Sequence, residues 1–358
     1  LLSKLRAEQA LGEPVAEIVL GRPVKFSDDP KADRIAEERL ARAAILAGFE
    51  RVHMELEPVA AAFQYEQGLS KPQRILVFDF GGGTLDITIM EVDGSGKRRV
   101  LSTDGVRIAG DVFDQKIVVA KLAPHLGAEV TYGPKALRMP RHIIADLPDW
   151  QTLSLLNRPD ILSHLAEIER TTAQPGPVRA LQSLISNNYG LKMLDEVERA
   201  KIALSTARQS TIRLAGKDIS IQETISRAEF EQIIRSEMAA VSACVDGALA
   251  ATALQPRQID AVIRTGGSSL IPCFQQMLTA KFGPDKLVAI DEFSSVTSGL
   301  AVAASLIAQG KLELRSYSDD ILKQGALVAE PPNFQSPVLK LREQMAEWGE
   351  FPSASAPA

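Results

Sequence analysis

At 358 residues the chain is longer than one hydrophobic core usually organises, since single cores rarely grow past roughly 250–300 residues, so two lobes are expected. Hydrophobic residues make up 45% of it and charged residues 24%, the balance of a globular protein, which excludes disordered, collagen-like and fibrous chains. A net charge of −5 argues against nucleic acid or an acidic membrane surface as partner.

The sequence begins at Leu1 with no Met, basic stretch or small-residue cleavage site to mark a signal peptide, and reads as a fragment or as a frame that has lost its beginning. Glu17 to Val24 has strand composition, and Ser27-Asp28-Asp29-Pro30 opens a helix predicted from about Lys31 to Ala47. Ile35, Leu40, Ala43, Ala44 and Ala47 give that helix one apolar face, and Gly48 suits the left-handed backbone of a helix end. A strand over Arg51 to Leu56 leads into Glu57-Pro58, with proline in the first turn of a helix that continues from Val59 to Gln67. Arg74 to Phe80 is an apolar strand, Leu85, Ile87 and Ile89 alternate along the next, and only Gly81-Gly82-Gly83-Thr84 lies between. A second hairpin turns at Asp93-Gly94-Ser95-Gly96-Lys97 onto Arg98 to Ser102. Gly110 to about Gln209 reads as mainly helical, most clearly over Asp195 to Gln209. A hairpin over Arg213 to Ile221 precedes one long helix, from a capping box at Ser226-Arg227-Ala228-Glu229 to about Leu254. Strand Ile259 to Arg264, loop Thr265 to Ser269, helix Pro272 to Phe282, strand Leu287 to Ile290 and helix Val296 to Ala308 follow. The longest apolar stretch, Gly299 to Ala308, is about half the roughly 20 residues a bilayer span needs, so no membrane helix is predicted. Lys311 to Ala358 gains Pro and Ser, and its tip is expected to be disordered. The whole describes an α/β protein with a helical insert. Cys244 and Cys273 sit in apolar patterns as core residues, not as a disulfide framework, which fits a reducing cytoplasm.

Asp79-Phe80-Gly81-Gly82-Gly83-Thr84-Leu85-Asp86 carries the most chemistry. Three glycines in a strand-to-strand turn let backbone N–H groups point at phosphate oxygens as an anion nest. Asp79 suits a hydrated cation, Thr84 offers a hydroxyl to a terminal phosphate, and Asp86 can orient the loop or a water. A flexible hairpin is the plain alternative, weakened by the acids and apolar strands on both flanks. Thr265-Gly266-Gly267-Ser268-Ser269 follows a strand and precedes a helix, where nucleotides bind in α/β sheets. Neither a Walker loop nor a Rossmann glycine fingerprint is present. The four histidines, His53, His125, His142 and His164, lack metal-ligand spacing, and Trp150 and Trp348 read as packing residues.

Five segments together resemble the nucleotide-binding domain of the seventy-kilodalton heat-shock chaperones of the DnaK type. They are Glu57 to Ala62, Asp79 to Asp86, Gly110 to Asp114, Glu198 to Lys201 with Ser205, and Gly266 to Ser268, in the family's order over about Leu1 to Gly310. The resemblance implies an actin-like ATPase fold with ribonuclease H-like sheets. Residues 1–71 with 291–310 would form lobe I, 72–109 with 255–290 the core of lobe II, 110–254 an inserted helical subdomain, and 311–358 a tail. It implies ATP or ADP with magnesium as ligands. Gly81, Gly82, Gly83 and Thr84 would bind the β- and γ-phosphates, Asp79 would hold magnesium through water, Asp86 would support the loop, and Glu57 would hold a water near the γ-phosphate. Glu198, Lys201 and Ser205 would contact the adenosine, with Gly266, Gly267 and Ser268 closing from the other side. Read without the family, Glu198 and Lys201 at i and i+3 are an exposed helix ion pair.

The sequence also departs from the family. Leu270 stands where an arginine stacks on adenine, and Phe293 where an acid is expected. The first phosphate-binding hairpin and its lysine have no counterpart, Asp114 to Glu198 is longer than in the chaperones, and no substrate-binding domain follows Gly310, as in the shorter bacterial heat-shock-like proteins. The expected function is therefore magnesium-dependent ATP hydrolysis coupled to lobe closure, weak or absent in this chain, in a cytoplasmic chaperone-like protein whose client and co-chaperone partners the sequence does not name. A catalytically inactive nucleotide-binding or interaction module is the alternative. A sugar kinase, of the same superfamily, is disfavoured by the Glu57-Pro58 and Glu198-to-Lys201 motifs.

Overall fold

The computed structural model describes residues 1–27, 29–66, 69–93, 98–289 and 295–324. The chain divides into two compact units, Leu1–Ser70 with Ser294–Ala358, and Lys71–Phe293. In chain order the strands of the two main sheets are β1 (Glu17–Arg22), β2 (Arg51–Leu56), β3 (Gln73–Phe80), β4 (Leu85–Val92), β5 (Arg98–Val106), β6 (Ala261–Thr265), β7 (Leu287–Ala289) and β8 (Arg315–Tyr317).

The smaller unit holds a three-stranded sheet in the order β1-β2-β8, with β1 parallel and β8 antiparallel to β2. Ile18, Leu20, Val52 and Met54 pack on the apolar stripe of helix Pro30–Leu46. Asp29 caps that helix by accepting from the Lys31 N–H, and Gly48 just beyond it has φ +102°. Glu37, only 2% exposed, accepts from Arg22, from Arg315 at 3.2 Å and from the Tyr317 hydroxyl, so one buried acid ties the helix to both edge strands. Residues 315–324, expected to be tail, are thus a strand and the short helix Asp319–Gln324. Helix Leu2–Leu11 buries no residue, so no apolar face announces it in the sequence. Helix Ser295–Ala308 follows the expected pattern, and no described helix is long and apolar enough to cross a membrane.

The larger unit is built on a five-stranded sheet in the order β7-β6-β3-β4-β5. β6 runs parallel to β3 and β7, while β3, β4 and β5 form an antiparallel meander with a bulge at Ile89/Met90. Every residue from Ile75 to Phe80 is buried, which is why β3 reads as a continuous apolar run and not as an alternation. Phe78, Phe80, Phe113, Phe230 and Phe274 form one aromatic cluster, with centroid separations of 4.9 Å for Phe80–Phe274 and 5.8 Å for Phe80–Phe113. Both cysteines are buried and neither forms a disulfide.

Residues 110–254 contain helices Gly110–Ile117, Pro159–Thr171, Pro175–Ser186 and Gly190–Leu204, together with two small hairpins, Thr131–Arg138 and Gln209–Ser226. The capping box at Ser226 is present, but the single long helix expected after it is two, Arg227–Ile233 and Arg235–Thr252. The fully buried Ile234 sits between them at φ −99°, ψ 17°, redirecting the second helix along β4 and β5. The tail tip, Phe293, Trp348 and the turn Gly94 to Lys97 lie outside the described residues.

Candidate functional site

Strand register builds the site. β3 and β4 pair so that Asp79 faces Asp86, and β6 pairs with β3 so that Thr265 faces Asp79. That row of three brings the loops leaving β3 and β6 side by side at one end of the sheet. Asp79 is 8% and Asp86 2% exposed. Two acids opposite each other on a ladder repel unless donors or a cation compensate them. Gly105 of β5 stands across from Asp86, and a Cβ there would lie 2.9 Å from the Leu85 carbonyl and 3.2 Å from Asp86 Oδ1. Sequence reasoning missed Gly105, although a glycine inside a strand is a signal of close approach.

The four-residue loop closes with the Gly81 N–H donating to the Thr84 carbonyl at 3.2 Å. The Gly81 carbonyl accepts from the Gly110 N–H at 3.3 Å and from Ser268 Oγ at 2.6 Å, and the Gly82 carbonyl from the Asp111 N–H at 2.8 Å. With both carbonyls turned to these partners, the amides of Gly82 and Gly83 donate to no group among the described residues. A Cβ on Gly81 or on Gly83 would find nothing within 4 Å, and one on Gly82 only the Asp111 carboxylate at 3.3 Å. The protein leaves this ledge open, with unspent donors along it and a buried acid at each end. The Thr84 hydroxyl donates to Asp86 Oδ2 at 2.8 Å, so its proton is committed to the acid and its lone pairs face elsewhere.

On the β6 side, Gly266 has φ +78° and would place a Cβ 2.3 Å from the Phe80 carbonyl oxygen. Only glycine fits there. Ser269 Oγ donates to the Gly266 carbonyl at 2.7 Å, and Gly267 opens a short 3-10 turn ending at Leu270.

The motif Glu198 to Ser205 lies on helix Gly190–Leu204 and its end. Lys201 is not the exposed partner of Glu198: it is 9% exposed, donates to the Gly110 carbonyl at 3.1 Å and is ion-paired with Asp114. A Cβ on Gly110 would stand 3.0 Å from Lys201 Nζ, 3.2 Å from Ser268 Oγ and 3.4 Å from Gly82 Cα, so these groups converge. Burial raises the Asp114 pKa to about 6, against the pull of Lys201, with Glu198 and Asp111 adding like charge. Glu198 remains exposed, and Ser205 caps the helix, its hydroxyl making no hydrogen bond among the described residues. Glu57 belongs to the smaller unit, opening helix Glu57–Glu66, with its Cγ 2.9 Å from where a Cβ on Gly21 would lie. Asp114 received no role from the sequence, although it closes the quoted Gly110-to-Asp114 motif.

A cavity of about 630 Å³ lies at the opposite end of the sheet, lined by Gln73, Arg74, Glu91, Arg99 and Asp260. Its acid Glu91 is already bound by Arg74 and Arg99, both of which lower its pKa. His53 lies 3.1 Å from Glu17, His125 2.7 Å from Glu223 and His164 3.3 Å from the Tyr132 hydroxyl. Among the described residues no group of three or more His, Cys, Asp or Glu could hold a metal ion.

This sheet, with a glycine hairpin between two facing acids and a second glycine turn beside it, defines an α/β protein with two glycine turns side by side at one end of its sheet. The Hsp70 protein family model matches residues 1–129 and 181–318. The chain belongs to the Hsp70 family, and with it to the actin-like ATPase fold. It is 28% identical over 312 residues to the chaperone protein DnaK of Elusimicrobium minutum, covering 85% of this chain and 41% of that protein. It is also 28% identical to DnaK of Thermosipho africanus, over 86% of this chain and 44% of the relative, and to dnaK of Cyanidioschyzon merolae, over 84% and 42%. The chain thus spans less than half the length of these curated relatives. Residues 130–180, which the family model leaves unmatched, fall in the stretch Asp114 to Glu198, expected from the sequence to be longer than in the chaperones. They pack into the same core through Met139, Ile143, Leu147, Leu156, Leu165 and Ile168.

Proposed function

We propose that the larger unit binds ATP or ADP at the Gly81–Thr84 loop, as the nucleotide-binding part of a chaperone-like protein of the Hsp70 family. The observation that carries the reading is the open ledge at Gly81 and Gly83 with its unspent amides between two buried acids. Those amides suit phosphate oxygens, and the Lys201 ammonium beside Gly110 adds positive charge to the same end of the sheet. Asp79 suits a magnesium ion held through water, which would neutralise phosphate charge. Gly266, Gly267 and Ser268 would border the nucleotide from the β6 side, and Glu198, Lys201 and Ser205 from the insert. Glu57 is assigned a water-orienting role on the family resemblance alone.

Slow hydrolysis would come from electrostatic positioning, since phosphoryl transfer asks little covalent chemistry of a protein. Binding without turnover is the second reading, favoured by the Thr84 proton being committed to Asp86 and by Leu270 in the β6 turn. Titration calorimetry of the 358-residue chain with MgATP, MgADP and adenosine tests the proposal. Saturable heat with both nucleotides and far weaker binding of adenosine is the expected result; equal binding of adenosine, or no binding of any of them, overturns the phosphate assignment. Phosphate release in the same samples separates the two readings.

A further inference from the structure

The nucleotide reading leaves Asp114 without a task. Its Oδ2 is ion-paired with Lys201, while its other oxygen, Oδ1, is buried without a partner. Helix Gly110–Ile117, which carries Asp114, sends its first two amides to the Gly81 and Gly82 carbonyls. Lys201 comes from a helix 87 residues further along the chain and closes on the start of that helix through the Gly110 carbonyl. One acid therefore fixes a cation against the backbone that shapes the glycine loop.

We propose that Asp114 is a positioning residue for phosphate binding: with the Gly110 carbonyl it holds the Lys201 ammonium beside Gly82, where an anion in the loop meets it. The inference rests on the nucleotide reading above. It carries a consequence in protons. Asp114 is itself an anion close to the loop, so a phosphate arriving there disfavours its charged form and draws a proton from solvent onto the carboxyl. The charged groups around it are Lys201 and Glu198 on helix Gly190–Leu204 and Asp111 on its own helix. Helix Arg227–Ile233 also packs there, but Arg227 donates to the Leu204 and Ala207 carbonyls, Glu229 pairs with Lys121, and Glu231 acts on Cys273. In the free protein Asp114 titrates at about 6. With a phosphate bound its pKa is higher, so affinity rises as pH falls through the interval between the two values and is flat above and below it. One unit of separation is tenfold in affinity.

Calorimetry of MgADP binding at pH 7, in buffers of different ionisation enthalpy, counts the protons taken up by the wild-type chain, Asp114→Asn and Asp114→Ala. Protonation of the nucleotide's own phosphates is common to all three and cancels in the comparison. Asn keeps an oxygen for Lys201 and carries no charge, so it is expected to bind several-fold more tightly than wild type and to take up fewer protons. Ala leaves Lys201 with the Gly110 carbonyl alone, and about tenfold weaker binding than Asn is expected, with circular dichroism confirming the fold. Equal proton uptake by wild type and Asn, or equal affinity of Asn and Ala, overturns the positioning role while leaving the nucleotide site intact. No binding by the wild-type chain between pH 6 and 8 overturns the nucleotide reading, and this inference with it.

Discussion

The two glycine turns at the end of the sheet look alike in sequence and differ in what they demand. At Gly266 the protein itself insists on glycine, because the backbone lies at φ +78° and the Phe80 carbonyl occupies the space a side chain needs. At Gly81 and Gly83 the backbone is not in the left-handed region, and no atom of the described residues lies within reach of a Cβ. The first turn is a joint between β6 and β3. The second is a surface kept bare, and its bareness has no structural beneficiary among the described residues. Substitutions that would be equivalent by sequence therefore separate a structural glycine from one kept for a ligand.

Gly266→Ala should have the largest effect. A side chain in a backbone region used almost solely by glycine, driven into the carbonyl of the central strand, is expected to cost roughly 3 kcal/mol or more in urea unfolding. A variant within about 1 kcal/mol of wild type would show that this turn is no tighter than the other. Ser268→Ala probes the link between the turns. It removes the 2.6 Å bond to the Gly81 carbonyl but leaves the Gly110 N–H on the same oxygen, so about 1 kcal/mol is expected. No change in stability would mean the two loops are not braced against each other by this hydroxyl.

Much of this comparison was legible in the sequence, and the reasons are physical. β3 announces itself because burial on both faces makes it continuously apolar, and the brevity of Gly81–Thr84 leaves only a hairpin. The capping box at Ser226 fixed a helix start through local chemistry alone. What could not be read depended on distant partners. Glu198-x-x-Lys201 has the spacing of a surface pair, yet Lys201 turns inward to Asp114, which no local pattern reveals. Arg315–Tyr317 is too short to show a period, and it is a strand because β2 and Glu37 receive it. Ile234 breaks a helix inside a strong helical pattern because its own burial outweighs continuity.

Gly83→Ala is the finest test, since it should leave stability nearly untouched and still abolish much of the binding. Its Cβ meets nothing within 4 Å and its φ is not positive, so the folded state gains no clash. The unfolded chain loses freedom, which favours folding by up to about 0.4–1 kcal/mol, and the melting temperature should hold or rise slightly. The same methyl group stands on the ledge where phosphate oxygens would approach the Gly82 and Gly83 amides, and losing one such contact to a charged group is worth about 1.5–3 kcal/mol, or at least tenfold in MgADP affinity. Gly176→Ala is the control, because Gly176 also has open space around it but lies in helix Pro175–Ser186, away from the loop, so its stability should likewise hold or rise while MgADP affinity stays unchanged. If Gly83→Ala binds MgADP as tightly as Gly176→Ala, the bare ledge is not the phosphate site, and the contrast between the two turns reduces to a difference in backbone strain.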